Sequence, residues 1–153
     1  MAIRTVTPDD RACWSEMRTA LWPDTDDQHL AEIDAFFTGH AIDVVTVLMA
    51  EAGGETVGFL ELNVRNFAEG SRQDRVPYVE AWYVRPAFQG RGHGKRLMAA
   101  AERWAMANGF SELASDTEID NEQSIAMHRS LGFAEVDRVV CFLKKLKRET
   151  IQQ

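Results

Sequence analysis

The first third of the chain alternates between short apolar runs and stretches in which apolar residues recur at helical spacing. Residues 3–6 are typical of a short strand. The sequence TPDD at 7–10 predicts a helix start, because it combines a capping residue, a proline at the first helical position and acids in the first turn. That helix is expected to end at WP, residues 22–23. A second helix is predicted between residues 26 and 39, with the glycine just past its end.

The next elements follow the pattern of a hairpin. Residues 44–50 form a continuous apolar run, as expected of a strand covered on both faces. Gly53-Gly54 predicts a hairpin turn, and residues 60–65 then alternate between apolar and polar positions. The two strands are therefore expected to pair antiparallel.

After a polar loop, residues 77–84 predict another strand, rich in aromatic and branched residues. Strict alternation would place Glu80 on the same face as Tyr78 and Trp82. The strand is followed by a glycine-rich turn and by a helix that ends before Gly109.

The last third predicts three further elements. They are a short strand at 113–117, a helix at 124–131 and a long final strand at 136–146. Hairpins first and helical connections later indicate an α/β fold of the mixed α+β kind. We expect a central mixed, largely antiparallel sheet flanked by helices on both faces.

Composition narrows the class of protein. A chain of 153 residues, 45% hydrophobic and 27% charged, is that of one globular domain, which we place at residues 1–147 with a flexible tail at 148–153. The two cysteines form no CxxC pair and the four histidines are scattered, so no metal site is expected. No apolar stretch suits a signal peptide or a membrane span, so we expect a cytoplasmic protein without a membrane partner.

The charge distribution argues against nucleic acid as a partner and suggests two opposite sites. The net charge is -7, and residues 1–55 carry eleven acids against three bases. Residues 81–101 instead contain four bases and no acid, whereas residues 104–128 contain acids and no Lys or Arg. One reading is an anion site beside a cation site; the alternative is that these residues form solvated faces of helices and loops.

The motif QGRGHG at 89–94 stands where a strand turns into a helix. Glycines let backbone amides approach a ligand, and the first helical amides lack partners and carry the positive end of the helix dipole, so such a loop can hold phosphates. Arg96 follows Lys95 where a Walker A loop has Ser or Thr, and Leu97 stands where the dinucleotide fingerprint has its third glycine. Mononucleotide hydrolysis and nicotinamide chemistry are therefore disfavoured.

Two motifs in the same order and spacing resemble the GCN5-related N-acetyltransferases. Gln89, Gly92 and Gly94 match the loop that holds the coenzyme A pyrophosphate in that family. The second block has an Asn, a small residue three later, an apolar residue six later, usually a Tyr seven later, and then Gly-Phe; here it consists of Asn121, Ser124, Met127, His128, Gly132 and Phe133. Short matches around Leu21-Trp22-Pro23, Glu80 and residues 114–117 are similar to the aminoglycoside 6'-N-acetyltransferase branch.

The resemblance implies an acyltransferase with acetyl-coenzyme A (acetyl-CoA) as co-substrate, no metal, and a polycationic aminoglycoside as acceptor. The amine would attack the thioester directly. Residues implied in coenzyme binding are Trp82, Tyr83, Val84, Gln89, Gly90, Arg91, Gly92, His93, Gly94, Lys95 and Asn121. Residues implied in acceptor binding are Trp22, Tyr78, Glu80 and Asp116.

Two catalytic roles follow from the same resemblance, each with an alternative. Glu80 is the candidate base, acting through a water; the alternative is a structural carboxylate bonded to a backbone group or an arginine. His128 stands where the family usually has the Tyr that protonates the departing thiolate, and an imidazole can donate a proton near neutral pH. The alternative is a surface or packing histidine.

Other functions remain open at this point. The acceptor could be another amine, such as a polyamine or a protein N-terminus, or the chain could be a non-catalytic acyl-CoA sensor. Because the family often dimerises, a homodimer is expected.

Overall fold

The computed structural model describes residues 2–148, and their strands form one mixed sheet. In order across the sheet the strands are β1 (Ala2–Thr5), β2 (Thr46–Ala52), β3 (Glu55–Arg65), β4 (Val76–Val84) and β5 (Ala114–Ser115). The first four pair antiparallel, and β4 pairs parallel with β5. The helices are α1 (Arg11–Leu21), α2 (His29–Phe37), α3 (His93–Ala107) and α4 (Glu122–Ser130). The predicted fold class, a largely antiparallel mixed sheet, is confirmed.

Each face of the sheet is covered by different helices, as the sequence predicts. On one face, α1 and α2 bury Trp14, Met17 and Ile33 against side chains of β2, β3 and β4. On the other face, α3 buries Leu97, Met98 and Ala101 against the same three strands. Burial of apolar side chains on both faces explains why β2 and the middle of β3 are almost continuously apolar.

A β-bulge in β4 changes which residues share a face. Glu61 and Leu62 of β3 pair with Ala81 and Val79, so Glu80 is an extra residue without an opposite partner. Trp82 consequently packs on the α3 face, away from Tyr78. The predicted alternation is wrong for Trp82, because a bulge shifts the side-chain period by one residue.

The helices match the predicted ones, with shifted ends. The segment Pro23–Gln28 is 3-10 helix, so α2 begins at His29 rather than at 26–27. Helix α3 ends one residue before Asn108, and Gly109 follows with a positive φ of +83°.

The predicted long strand at 136–146 is wrong. These residues form no strand in the described part of the chain. We call residues 134–148 the C-terminal arm, in which every residue is exposed and none belongs to a helix or strand. Its large apolar residues are exposed by 59–92%; they are Val136, Val139, Val140, Phe142, Leu143 and Leu146. The apolar spacing is that of a strand, but a strand needs a neighbour to complete its hydrogen bonds, and no described strand of this chain pairs with the arm.

Three expectations concern the rest of the chain. Of the predicted tail at 148–153, only Arg148 lies among the described residues. Within residues 2–148, no helix combines the length and the apolar character needed to cross a membrane. Over the same residues, no three His, Cys, Asp or Glu side chains converge as metal ligands would.

Candidate functional site

The glycine loop between β4 and α3 has the backbone geometry of an anion site. Gly90 and Gly92 adopt φ of +78° and +87°, a region that favours glycine, and Gly92 caps α3. Nothing lies within 4 Å of the position that a Cβ on Gly90 would occupy, so one side of the loop is open. Arg96 folds back over the loop and donates to the carbonyl oxygen of Arg91 at 3.1 Å. The loop therefore combines first-turn amides with nearby cations.

Strand β4 has a free edge beside this loop. Its parallel pairing with β5 involves only Tyr78 and Val79, so from Glu80 to Val84 this edge has no strand partner among the described residues. Two hydrogen bonds tie the edge to the loop: Trp82 Nε1 donates to the carbonyl oxygen of Gly94 at 3.0 Å, and Gln89 Nε2 donates to that of Val84 at 3.1 Å. The free edge and the glycine loop are therefore adjacent, and we call the region along them the slot.

His93 faces away from this slot. Its side chain is buried, with 2% of the residue exposed, and lies edge-on to Phe88. Burial lowers the pKa of His93, and the nearby Arg96 and Arg91 lower it further. Of the residues implied in coenzyme binding, His93 is therefore placed to contribute its backbone amide rather than its imidazole.

His128 lies at the other side of the slot, in contact with β4 and β5. Its ring meets Trp82 and Phe133 edge-on, with centroids 5.1 and 5.2 Å away. Nδ1 is 2.7 Å from the carbonyl oxygen of Ser124, which can only accept, so Nδ1 carries a hydrogen. In the neutral ring Nε2 is therefore an acceptor, and the Ser115 hydroxyl at 2.8 Å donates to it.

Asn121 caps α4 beside this histidine. Its side-chain oxygen accepts from the backbone N–H of Ser124 at 3.1 Å. The cap uses the oxygen and leaves the side-chain NH₂ group for a ligand.

Glu80 is held by an arginine on the face that carries α1 and α2. Arg65 Nε and Nη2 donate to the two carboxylate oxygens, both at 2.7 Å, and Asn63 Nδ2 donates to Oε1 at 3.3 Å. This is a bidentate fork, the strongest geometry that such a pair forms. The fork raises the pKa of Arg65.

Tyr78 connects this pair to the acidic strip. The Arg65 guanidinium carbon lies 3.6 Å from the centroid of the Tyr78 ring, and the Tyr78 hydroxyl donates to Asp116 Oδ2 at 2.9 Å. Burial, followed by the hydrogen bond to Asp116, raises the pKa of Tyr78. Glu80, Arg65, Tyr78 and Asp116 therefore form one connected group, which we call the open cluster because Asp116 is exposed and Arg65 partly so.

Trp22 lies at the end of α1 on the same face of the sheet. It is partly exposed, it packs against the α1/α2 core, and the Arg18 guanidinium lies 5.2 Å from its ring. Part of the ring packs in the core and part is open to solvent, so the role in acceptor binding stays a prediction.

The sequence profile of the Acetyltransferase (GNAT) family matches residues 6–133, which include strands β2 to β5, the glycine loop and α4. This chain belongs to the GNAT family. The resemblance predicted from the two motifs is confirmed.

Curated relatives and solved GNAT structures cover almost the whole chain. The chain is 42% identical to aminoglycoside N(6')-acetyltransferase type 1 of Klebsiella aerogenes over 94% of its length and 96% of the relative. It is 40% identical to the protein of the same name from Stenotrophomonas maltophilia, over 95% and 94% of the two chains. Its fold is similar to that of the 6'-N-acetyltransferase AAC(6')-IG from Acinetobacter haemolyticus, with a TM-score of 0.86, 34% identity and coverage of 96% and 100%.

One solved relative carries a ligand that joins both substrates. It is AAC(6')-Iy in complex with the bisubstrate analog CoA-S-monomethyl-acetylneamine, with a TM-score of 0.86, 33% identity and coverage of 95% of this chain and 98% of that chain.

The structure brings the predicted GNAT site residues into two groups and adds partners that the sequence analysis missed. The coenzyme group follows β4 and the glycine loop to α4, with the His93 side chain buried. Of the acceptor group, Tyr78, Glu80 and Asp116 belong to the open cluster, whereas Trp22 packs against the α1/α2 core. Arg65, Asn63 and Ser115 were missed. Arg65 and Asn63 end an alternating strand that pairs with β4, so the antiparallel register was the signal that could have revealed them.

Proposed function

We propose that this chain transfers the acetyl group of acetyl-CoA to the 6'-amine of aminoglycosides, by direct attack of the amine on the thioester. The observation that carries the proposal is the open cluster, in which two carboxylates, Glu80 and Asp116, flank one cation beside the slot along β4. Relatives at 40–42% identity that bear this activity in their names support the acceptor class.

The slot fits acetyl-CoA as co-substrate. The loop from Gln89 to Lys95 offers backbone amides with an open side at Gly90, where the pyrophosphate would lie. The free β4 edge from Trp82 to Val84 offers backbone groups to the pantetheine arm and the thioester carbonyl. When bound, acetyl-CoA supplies the activated acyl group.

Glu80 and Asp116 would handle the acceptor. An attacking amine must lose its extra proton, and a carboxylate beside the slot can take that proton through a water. Asp116, exposed and anionic, would bind a neighbouring ammonium group of the aminoglycoside, with Tyr78 and Trp22 as apolar walls.

His128 would return a proton to the departing thiol through Ser115. Its Nε2 faces the Ser115 hydroxyl, so a protonated ring donates to Oγ while the hydroxyl hydrogen moves on. We expect His128→Gln to lower kcat about 10²-fold, because it removes the proposed acid. An unchanged kcat would leave His128 with a packing role between Trp82 and Phe133.

The test of the reaction is release of thiol from acetyl-CoA with three acceptors. Kanamycin carries the 6'-amine, a matched aminoglycoside with a 6'-hydroxyl does not, and spermidine serves as a simple polyamine. Turnover that requires the 6'-amine would support both the reaction and its position. Turnover with spermidine alone would move the assignment to another amine, and tight acetyl-CoA binding without turnover would favour a sensor.

We also propose that the active form is a cytoplasmic homodimer in which two copies exchange their C-terminal arms. The arm has strand spacing and exposes six large apolar residues, and β5 has a free outer edge. Beside that edge lies an apolar groove lined by Met106, Phe110, Leu113, Leu131 and Phe133. The arm of a second copy would cover both the edge and the groove, at about 1.5–3 kcal/mol for each fully buried side chain. The cytoplasmic location is supported by two unpaired cysteines.

Sedimentation equilibrium tests the exchange. We expect twice the chain mass for the wild type and the single-chain mass for Val140→Glu, because a charge would be buried in the new interface. Ile42→Glu is the matched control, since Ile42 is 96% exposed and lies outside the arm. A monomeric wild type, or equal dissociation by both variants, would contradict the exchange.

A further inference from the structure

The open cluster contains a cation of its own at the place where a substrate cation is needed. Arg65 is bonded to both oxygens of Glu80, and its guanidinium also lies in the field of Asp116, which further raises its pKa. Arg65 thus already provides positive charge to Glu80 and Asp116, the two carboxylates that are expected to bind an aminoglycoside.

Arg65 also covers the aromatic ring of the cluster. Its guanidinium carbon lies over the Tyr78 ring, 3.6 Å from the centroid, and only 3% of Tyr78 is exposed. A sugar ring that is to pack on Tyr78 therefore needs Arg65 to move away first. The arginine occupies both the ammonium position and the stacking position.

We propose that Arg65 is an exchangeable internal counterion, which fills the acceptor's cation site in the free enzyme and is displaced from Glu80 and Tyr78 by a substrate ammonium. This inference rests on the proposed function, because it assigns a regulator to the same acceptor site. It makes Arg65 a specificity-determining residue, since only acceptors with enough positive charge replace it.

The surroundings of Arg65 allow it to leave. Its side chain is 39% exposed, and it stands at the last residue of β3, where the chain enters the loop before β4. Partly exposed ion pairs contribute little net stability, because water solvates the separated partners. The released guanidinium can therefore turn into solvent at small cost, and an arriving ammonium restores the charge balance of Glu80.

Charge selectivity follows from this exchange. A neutral acceptor has no cation that could replace Arg65 at Glu80, so Arg65 stays in place and blocks the site. A polycation offers one ammonium for Glu80 and another for Asp116. Removal of the arginine changes the formal charge of the cluster from -1 to -2 and should strengthen binding of polycations.

The first experiment measures kanamycin binding by calorimetry without acetyl-CoA. For Arg65→Gln we expect a dissociation constant about 5-fold lower than the wild-type value, the size of effect that one partly exposed ion pair has on an equilibrium. Its dependence on salt should also be steeper. Arg65→Lys should bind with intermediate affinity. Arg11→Gln is the matched control, because Arg11 makes a similar fork with Asp34 on the helical surface, and it should not change the affinity.

A second measurement needs no variant. The Nε–H resonance of Arg65 in the wild-type protein should be protected from exchange with water in the free state and should lose that protection as kanamycin or spermidine saturates the site. Weaker binding by Arg65→Gln, or an Arg65 resonance that stays protected at saturation, would overturn the proposal. If no aminoglycoside is acetylated, the proposed function fails, but the spermidine titration still tests the exchange.

Discussion

Two glutamates on neighbouring strands, Glu61 on β3 and Glu80 on β4, each pair with an arginine on the same face of the sheet. Glu61 is 1% exposed, lies 2.9 Å from Arg18 Nε and accepts from Trp14 Nε1 at 3.0 Å. Glu80 is paired with Arg65, at 19% and 39% side-chain exposure. The chemical groups are the same, but one pair is sealed under α1 and α2, and the other is open to solvent.

The difference teaches how burial separates a structural ion pair from a functional one. Around Glu61 every partner is supplied by the chain: Arg18 also contacts Glu32 at 2.6 Å and His29 Nδ1 at 3.4 Å. Burial raises the pKa of Glu61 to about 7, although Arg18 and Trp14 act in the opposite direction. A group so enclosed cannot exchange partners with a ligand. Glu80 can, because water reaches it.

Among substitutions in the two ion pairs, the largest expected effect is that of removing Glu80, in the solvent-exposed pair. Glu80→Ala should lower kcat about 10³-fold, since it removes the proposed base for the amine proton. Affinity for acetyl-CoA, measured by calorimetry, should stay the same. Glu69→Ala is the matched control, because the charge of Glu69 also reaches Tyr78. Equal losses of turnover in both variants would indicate a general effect of charge rather than a base.

Substitutions in the buried Glu61–Arg18 pair should change the free energy of unfolding rather than turnover. Arg18→Met leaves Glu61 buried without its cation and should cost about 3 kcal/mol of unfolding free energy at pH 8. The pKa of Glu61 in the folded protein is already raised, and it rises further when Arg18 is removed. The variant therefore loses free energy of unfolding as the pH rises from the unfolded-state pKa to the folded-state pKa of Glu61. The cost should therefore be smaller at pH 5. Urea unfolding at both pH values measures it.

A second variant isolates the carboxyl group. In a Glu61→Gln background, the cost of Arg18→Met should depend less on pH, because the buried carboxyl is gone and the contacts of Arg18 with Glu32 and His29 are left. A cost of Arg18→Met that is the same at pH 5 and pH 8 in the wild-type background would contradict the assigned role of Glu61.

The sequence revealed much of this fold and three of the four residues of the open cluster, for physical reasons that differ between elements. Local patterns predicted α1, the hairpin of β2 and β3, and the glycine loop, because each depends on residues that are near neighbours in the chain. Glu80, Tyr78 and Asp116 were found through motifs. Arg65 was not, because its pairing with Glu80 depends on the register between two strands.

Two further errors have the same non-local origin. The bulge at Glu80 is a property of the β3–β4 pairing, so the alternation within β4 alone misplaced Trp82. The arm has the apolar spacing of a strand, but no strand pairs with it among residues 2–148, so the local pattern predicted an element that did not form.

The smallest expected effect is that of a substitution at Asp116, which tests how Glu80 and Asp116 differ within the open cluster. Asp116→Asn keeps an oxygen that can accept from the Tyr78 hydroxyl, so the geometry at 2.9 Å is maintained while the negative charge is lost. We expect KM for kanamycin to rise about 5-fold with kcat nearly unchanged, because the charge binds an ammonium that does not react. Steady-state kinetics with Asp120→Asn as the matched acidic control measures this. A fall in kcat without a change in KM would mean that Asp116 acts on the reacting amine, and the division between a base at Glu80 and a binding charge at Asp116 would have to be reversed.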